Sequence, residues 1–213
     1  MNNRLLGFFS GFPNRRFPSD VGMRLSEELK ERSSLVFISA WPDDYKRNDT
    51  DSAGMHCMFD EYDIPFKRHY VIDNRMEASH AGQLIREASC LFLMGGYPRL
   101  QMELIREKGL DTIICNATST VLGVSAGAIN MAKHSLDTKE SPVPYEGLSL
   151  ADITIKPHFE LNNQQVLSTL LQISMELPIY ATEDDSAIFV VGNQISSMGK
   201  IHLIHQGEIL PFK

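Results

Sequence analysis

The sequence predicts an α/β fold, a mostly parallel sheet covered by helices on both faces with antiparallel strands added at one edge. Three observations predict it. Short, continuous apolar runs such as Ser34-Leu35-Val36-Phe37-Ile38-Ser39 have the pattern of strands buried on both faces. Segments of helical period separate these runs, and that alternation is the mark of a parallel sheet with crossover helices. The last third of the chain instead carries short strand-like segments parted by turns, which suits an antiparallel meander.

The elements follow in order. Leu5 to Ser10 predicts the first strand. After Ser19-Asp20, a suitable helix start, Val21, Leu25 and Leu29 recur at every fourth position. Ser34 to Ser39 is the second strand, and a polar, helix-compatible stretch runs from about Tyr45 to Tyr62. Phe66 to Ile72 predicts a third strand, Ala81 to Ala88 a short helix, and Cys90 to Met94 a fourth strand entering Gly95-Gly96. Pro98 then occupies a first helical position, Leu100, Leu104 and Ile105 share a face, and Gly109 supplies the stop. A helical patch near Asp111 to Ala117 precedes the strand Thr120 to Val124, and a helix-compatible run reaches Ala132. Ile153 to Lys156 predicts another short strand, and Val166, Leu170 and Ile173 a helical stripe. Ile179–Thr182, Ala187–Val191, Ile195–Met198 and Ile201–His205 are the strands of the meander. No repeat, low-complexity tract or linker interrupts the sequence, so one domain is expected over residues 1–213.

Composition narrows the function. Apolar residues make up 43% of the 213 and charged residues 22%, a globular balance. The net charge of −7 disfavours nucleic acid as a partner, because phosphate binding needs clustered Lys and Arg. No apolar run approaches the roughly 20 residues of a membrane helix. Met1-Asn2-Asn3-Arg4 followed by Leu5 to Phe9 is superficially leader-like, but the apolar stretch is short and no small-residue cleavage site follows. Cys57, Cys90 and Cys115 are odd in number and widely spaced, which suggests neither a disulfide framework nor a zinc site and fits a reducing, cytoplasmic setting.

Three motifs carry chemistry. Gly123-Val124-Ser125-Ala126-Gly127 has the spacing of a nucleophile elbow, in which small residues let the backbone fold tightly and expose the serine. A serine hydroxyl needs that exposure and a base to become a nucleophile. The N–H of Ala126 would then face a developing oxyanion. The bland alternative is a tight turn whose serine merely caps a helix. Gly95-Gly96, at the end of a strand, lets backbone N–H groups approach a ligand, although an ordinary turn has the same composition. His158, just after a strand, is the candidate base. His56, His69, His80 and His134 are less well placed in sequence, and His202 and His205 read as surface polar positions of the meander.

Taken together and in this order, Met94-Gly95-Gly96 with Gln101, Gly123-Val124-Ser125-Ala126-Gly127-Ala128, Pro157-His158-Phe159 and Ala187-Ile188-Phe189-Val190 resemble the peptidase E family of serine peptidases, which includes cyanophycinase. The resemblance runs from about Ser34 to Lys213. It implies a doubly wound, three-layer α/β sandwich like that of class I glutamine amidotransferases, a serine–histidine–acid triad, and neither metal nor cofactor. Ser125 would attack the scissile carbonyl and His158 would relay the proton. Gly96 and Ala126 would hold the oxyanion, with Gly95 shaping the turn. For the acid, alignment through Ala187–Val190 points to Asp184, with Glu183 adjacent, and alignment forward from the serine points to Glu140. Asp184 is preferred, because a carboxylate at a strand end is easily held rigid. A solvated turn is the ordinary reading of the run Glu183-Asp184-Asp185.

The chain also departs from peptidase E proper. Val124 stands where that enzyme has tryptophan, and Glu160-Leu161-Asn162-Asn163-Gln164-Gln165 lacks the arginine thought to recognise an N-terminal aspartate. Hydrolysis of short peptides, as by a dipeptidase or other exopeptidase without aspartyl specificity, is the expected function, and a homodimer is the expected assembly. An esterase using the same serine chemistry and a non-catalytic binding protein on the same scaffold are the rivals. A glutamine amidotransferase is disfavoured by serine at the elbow.

Overall fold

The computed structural model describes residues 4–141 and 143–212; Met1 to Asn3, the start of the leader-like stretch, lie outside them. Its main sheet contains β1 (Leu5–Phe9), β2 (Leu35–Ile38), β3 (His69–Ile72), β4 (Cys90–Leu93), β5 (Thr120–Val124), β10 (Ala187–Val191) and β11 (Gln194–Met198). The order across the sheet is β11-β10-β1-β5-β4-β2-β3. β1 to β5 are mutually parallel, and β10 and β11 close one edge antiparallel.

The continuous apolar runs follow from burial on both faces. Leu5 and Phe9 of β1 point into one core, with Leu35 and Phe37 of β2 and Phe92 of β4. Leu6 and Phe8 point into the other, with Val36, Ile38, Leu91 and Leu93. The first core is closed by α1 (Ser19–Glu28) through Val21 and Leu25, and by α2 (Tyr45–Asp60) through Met58 and Phe59. Phe9 there meets Phe12, Phe17, Phe92 and Phe189 with ring centroids 5.4 to 6.3 Å apart, tilted or edge-on as ring quadrupoles favour. The second core is closed by α3 (Ala78–Glu87), α4 (Pro98–Glu107), α5 (Asp111–Asn116) and α6 (Ala126–Met131). Each large aliphatic or aromatic side chain so buried contributes about 1.5–3 kcal/mol.

Several elements differ from expectation. Leu100 is 40% exposed, and Met102 joins Leu104 and Ile105 on the buried face of α4. β3 starts only at His69, because Lys67 bonds Arg32 and Phe66 turns inward against Phe59. The helix after Ser125 stops at Met131, where the chain passes directly into β6 (Ala132–Ser135).

The C-terminal strands do not form one edge. Only β10 and β11 join the main sheet. β9 (Ile179–Thr182), β12 (Ile201–His205) and β13 (Glu208–Phe212) join β6, β7 (Tyr145–Glu146) and β8 (Ala151–Lys156) in a second sheet, ordered β13-β12-β9-β8-β6-β7. Ile153 and Ile155 of β8 and Ile201 of β12 bury this sheet against the second core. α7 (Gln164–Ile173) covers it through Leu170, packed with Ile179, Ala181 and Ile204. Pro211 is tolerated in β13 because that strand lies at the sheet edge. Among the described residues no helix is long and apolar enough to cross a membrane.

Candidate active site

The parallel strands β1, β2, β4 and β5 end together, and the site forms at that edge, where ligands of open α/β sheets bind. β5 delivers Ser125, whose backbone takes the left-handed φ of 52°. Its N–H donates to Phe9 O at 2.9 Å, and its carbonyl accepts from Ile129 N at 3.0 Å. The flanking glycines are steric necessities. A Cβ on Gly127 would lie 2.1 Å from Leu93 O, and one on Gly123 would lie 2.6 Å from Met131 Sδ.

His158 follows β8, a strand of the second sheet, and also has a left-handed φ of 52°. Its Nε2 lies 2.9 Å from Ser125 Oγ, and its Nδ1 lies 2.6 Å from Asp184 Oδ1 in the β9–β10 turn. Asp184, being acceptor-only when ionised, accepts a hydrogen bond from Nδ1–H, which leaves the Nε2 lone pair facing the serine hydroxyl. The structure thus brings Ser125, His158 and Asp184 into one chain of hydrogen bonds. Asp185, next in sequence, has its carboxyl raised by burial and by the Asp184 charge.

The other acid candidates face elsewhere. Glu140 lies on the wall of the same cavity, with its carboxylate 3.6 Å from Arg99 Nε. Glu183 turns away from Asp184 and bonds His202 Nε2 at 3.1 Å, with Lys200 Nζ at 3.7 Å. His202 is therefore a half-buried, paired residue that also stacks edge-on against Phe159, rather than a free surface position.

Gly95 passes close beneath the serine, since a Cβ there would lie 3.6 Å from Ser125 Cβ. Gly96 has a φ of 145° and would meet Trp41 Nε1 at 2.4 Å with any side chain, so only glycine fits. Gln101 is fully buried below this turn, and its Nε2 donates to Ile38 O at 2.9 Å and Met94 O at 3.1 Å, tying the ends of β2 and β4 together. Asn130 Nδ2 donates in turn to Gln101 Oε1. Ala126 is buried as the first residue of α6.

Ser125 and His158 open into a cavity of about 340 Å³ whose walls include Trp41, Tyr97, Asp137, Lys139, Glu140 and Lys156. Trp41 meets Tyr97 edge-on, with ring centroids 4.4 Å apart, and carries the Arg47 guanidinium over its ring at 4.0 Å. Sequence reasoning passed over this sole tryptophan, although its place just beyond an apolar strand was a usable signal. A larger hollow of about 550 Å³, also bordered by Trp41, contains neither Ser125 nor His158. Among the described residues no group of three or more His, Cys, Asp and Glu side chains is arranged to hold a metal ion.

Lys156 was also missed. It is buried, donates from Nζ to Pro157 O at 2.6 Å, and faces Lys139, Asp137 and Asp184. Burial, aided by the Lys139 charge, lowers its pKa from the ordinary 10.5 to about 8. Below about pH 8 the ammonium is charged in folded and unfolded chains alike, and the full burial cost applies. Between that pH and the ordinary lysine value the unfolded chain holds the extra proton, so stability rises with pH. Lys156→Met is expected to stabilise the protein at pH 7 by about 1–2 kcal/mol, the lost bond to Pro157 O offsetting part of the gain. Chemical denaturation at pH 7 and pH 10 checks this, since the advantage should shrink at the higher pH.

Comparison with known proteins gives a family and a fold. The family model described as Peptidase family S51 matches residues 52–198, more than half of the chain. Among solved structures, a peptidase from an acI-B1 Actinobacterium superposes with a TM-score of 0.74 at 16% identity, covering 98% of this chain and 93% of that one. A protein named for peptidase E from Listeria monocytogenes EGD-e gives a TM-score of 0.66 at 14% identity, covering 92% of this chain and 98% of that one. No curated protein matches the sequence.

Proposed function

The chain belongs to peptidase family S51, a family of serine peptidases, and from that premise we propose that it hydrolyses short peptides through an acyl-enzyme on Ser125. One observation carries the reading: the His158 imidazole bridges Ser125 Oγ at 2.9 Å and Asp184 Oδ1 at 2.6 Å. Hydrogen-bond reach to both a nucleophile and an orienting acid is what a base in a triad requires.

In this mechanism Ser125 Oγ attacks the scissile carbonyl carbon as its proton passes to His158 Nε2. Asp184 keeps Nδ1 protonated and stabilises the imidazolium. The tetrahedral oxyanion is received by the N–H groups of Gly96 and Ala126, donors fixed in advance by the Gly95-Gly96 turn and the elbow. Collapse breaks the C–N bond, and His158 returns its proton to the departing amine. Water, deprotonated by His158, then attacks the acyl ester and releases the acid and free Ser125.

The cavity volume of about 340 Å³ suits a few residues of peptide. No arginine follows His158 to pair an aspartyl side chain, so the substrate is assigned by size alone. The test is intact-mass analysis after treatment with a fluorophosphonate, from which Ser125 Oγ would displace fluoride, alongside hydrolysis of a short-peptide panel. A single adduct that extinguishes peptide hydrolysis is expected. Correctly folded protein that takes no adduct would overturn the reading.

A further inference from the structure

Ser125, His158 and Asp184 come from three segments distant in sequence and from two different sheets, which raises the question of what fixes them relative to one another. Each segment contains a non-glycine residue with left-handed backbone: Ser125 at φ 52°, His158 at 52° and Asp185 at 61°. Such backbone is costly and persists only where surrounding contacts hold it. All three residues donate their N–H to consecutive residues at the end of β1. Ser125 N donates to Phe9 O at 2.9 Å, His158 N to Ser10 Oγ at 2.8 Å, and Asp185 N to Gly11 O at 2.8 Å.

The bonds to Phe9 and Gly11 extend the pairing of β1 with β5 and β10. The bond to Ser10 is different, because a side chain makes it and because it crosses between the sheets. Ser10 is fully buried. Its hydroxyl accepts from His158 and donates to Thr182 O at 3.0 Å, with Asp184 Oδ1 at 3.4 Å. Gly11 supplies the space beside it. A Cβ there would lie 2.5 Å from His158 Cε1 and 2.7 Å from Asp184 Oδ1, in the place of the imidazole–carboxylate pair.

We propose that Phe9-Ser10-Gly11 is the positioning element of the site, with Ser10 Oγ holding His158 at its strained backbone and Gly11 admitting the His158–Asp184 pair. The proposal rests on the serine-peptidase reading for its effect on rate, and it adds residues outside those the family model matches. Neither Ser10 nor Gly11 need touch substrate. Both act through His158 and Asp184, whose misplacement by even 1 Å is costly.

The experiment compares wild type, Ser10→Ala and Gly11→Ala by fluorophosphonate labelling rate across pH, by kcat and KM on a short peptide, and by the low-field proton resonance of His158 Nδ1. Ser10→Ala is expected to slow labelling roughly tenfold to a hundredfold, with the loss in kcat rather than KM. The resonance should shift or broaden, and in Gly11→Ala it should vanish. Wild-type labelling, pH profile and resonance in folded Ser10→Ala would overturn the proposal. Should that variant fail to fold, Ser10→Cys decides, since its thiol occupies a similar volume but accepts weakly: slowed labelling supports the role of the hydroxyl, and the wild-type rate overturns it. If wild type itself takes no adduct, the peptidase reading fails separately. The resonance then tests positioning alone, by its change or persistence in Ser10→Ala.

Discussion

Ser125→Ala is expected to abolish the fluorophosphonate adduct and to lower peptide turnover by on the order of 10⁴- to 10⁶-fold, while the protein melts as wild type does. The size of the loss follows from what the hydroxyl supplies. Without it no acyl-enzyme can form, and only the oxyanion donors and substrate binding remain to assist attack by water. The stability forecast follows from the hydrogen bonds. Ser125 makes no side-chain capping bond to α6, and its structural contacts, to Phe9 O and from Ile129 N, are made by the backbone. Alanine keeps the same Cβ at the same left-handed φ, so the strain at this turn is unchanged. Intact mass, steady-state rates and a thermal melt on one preparation check all three expectations. A variant that still labels at a single site would show that the reactive serine lies elsewhere.

How much of this could be read from sequence depends on the distance over which each feature is determined. β1, β2, β4 and β5 are legible because burial on both faces writes an unbroken apolar run into four or five residues. The elbow is legible because Gly123 and Gly127 are required by contacts a few residues away or in the adjacent strand. The second sheet is not. Ala132-Lys133-His134-Ser135 has no apolar alternation, and its partners are chosen by tertiary packing. The strands of the C-terminal meander are visible one by one, yet nothing local tells β10, bound for the main sheet, from β9 and β12, bound for the other. The same limit applies at the site. Glu183 and Asp184 are neighbours, and their carboxylates diverge to His202 and His158. Composition cannot tell which of the two meets His158. Ser10 and Gly11 carried no signal, since their partners lie in segments far along the chain.

Asp184→Asn is expected to reduce kcat/KM by about 10²- to 10⁴-fold. The upper end is the loss seen when the buried acid of a serine triad becomes an amide, and the lower end follows from the 41% exposure of the Asp184 side chain, which lets water share its role. The carboxylate can only accept, so it fixes the proton on His158 Nδ1 and leaves Nε2 free for Ser125. An amide can present its NH₂ instead. Nδ1 then becomes the acceptor, the ring proton moves to Nε2, and the serine faces a donor where it needs a base. Even with the amide oxygen inward, the imidazolium formed on attack loses its opposing charge. Glu140→Gln and Glu183→Gln should stay within a few-fold of wild type, because each removes a carboxylate paired elsewhere, with Arg99 in one case and with His202 and Lys200 in the other. The Glu140–Arg99 pair is partly exposed on both sides, so its loss should cost no more than about 1 kcal/mol of stability. Measuring kcat/KM and labelling rates for the three variants side by side separates the carboxylates. A crippled Glu140→Gln beside an active Asp184→Asn would transfer the acid's role to Glu140. It would also require that His158 leave Asp184, at 2.6 Å in this structure, when substrate binds.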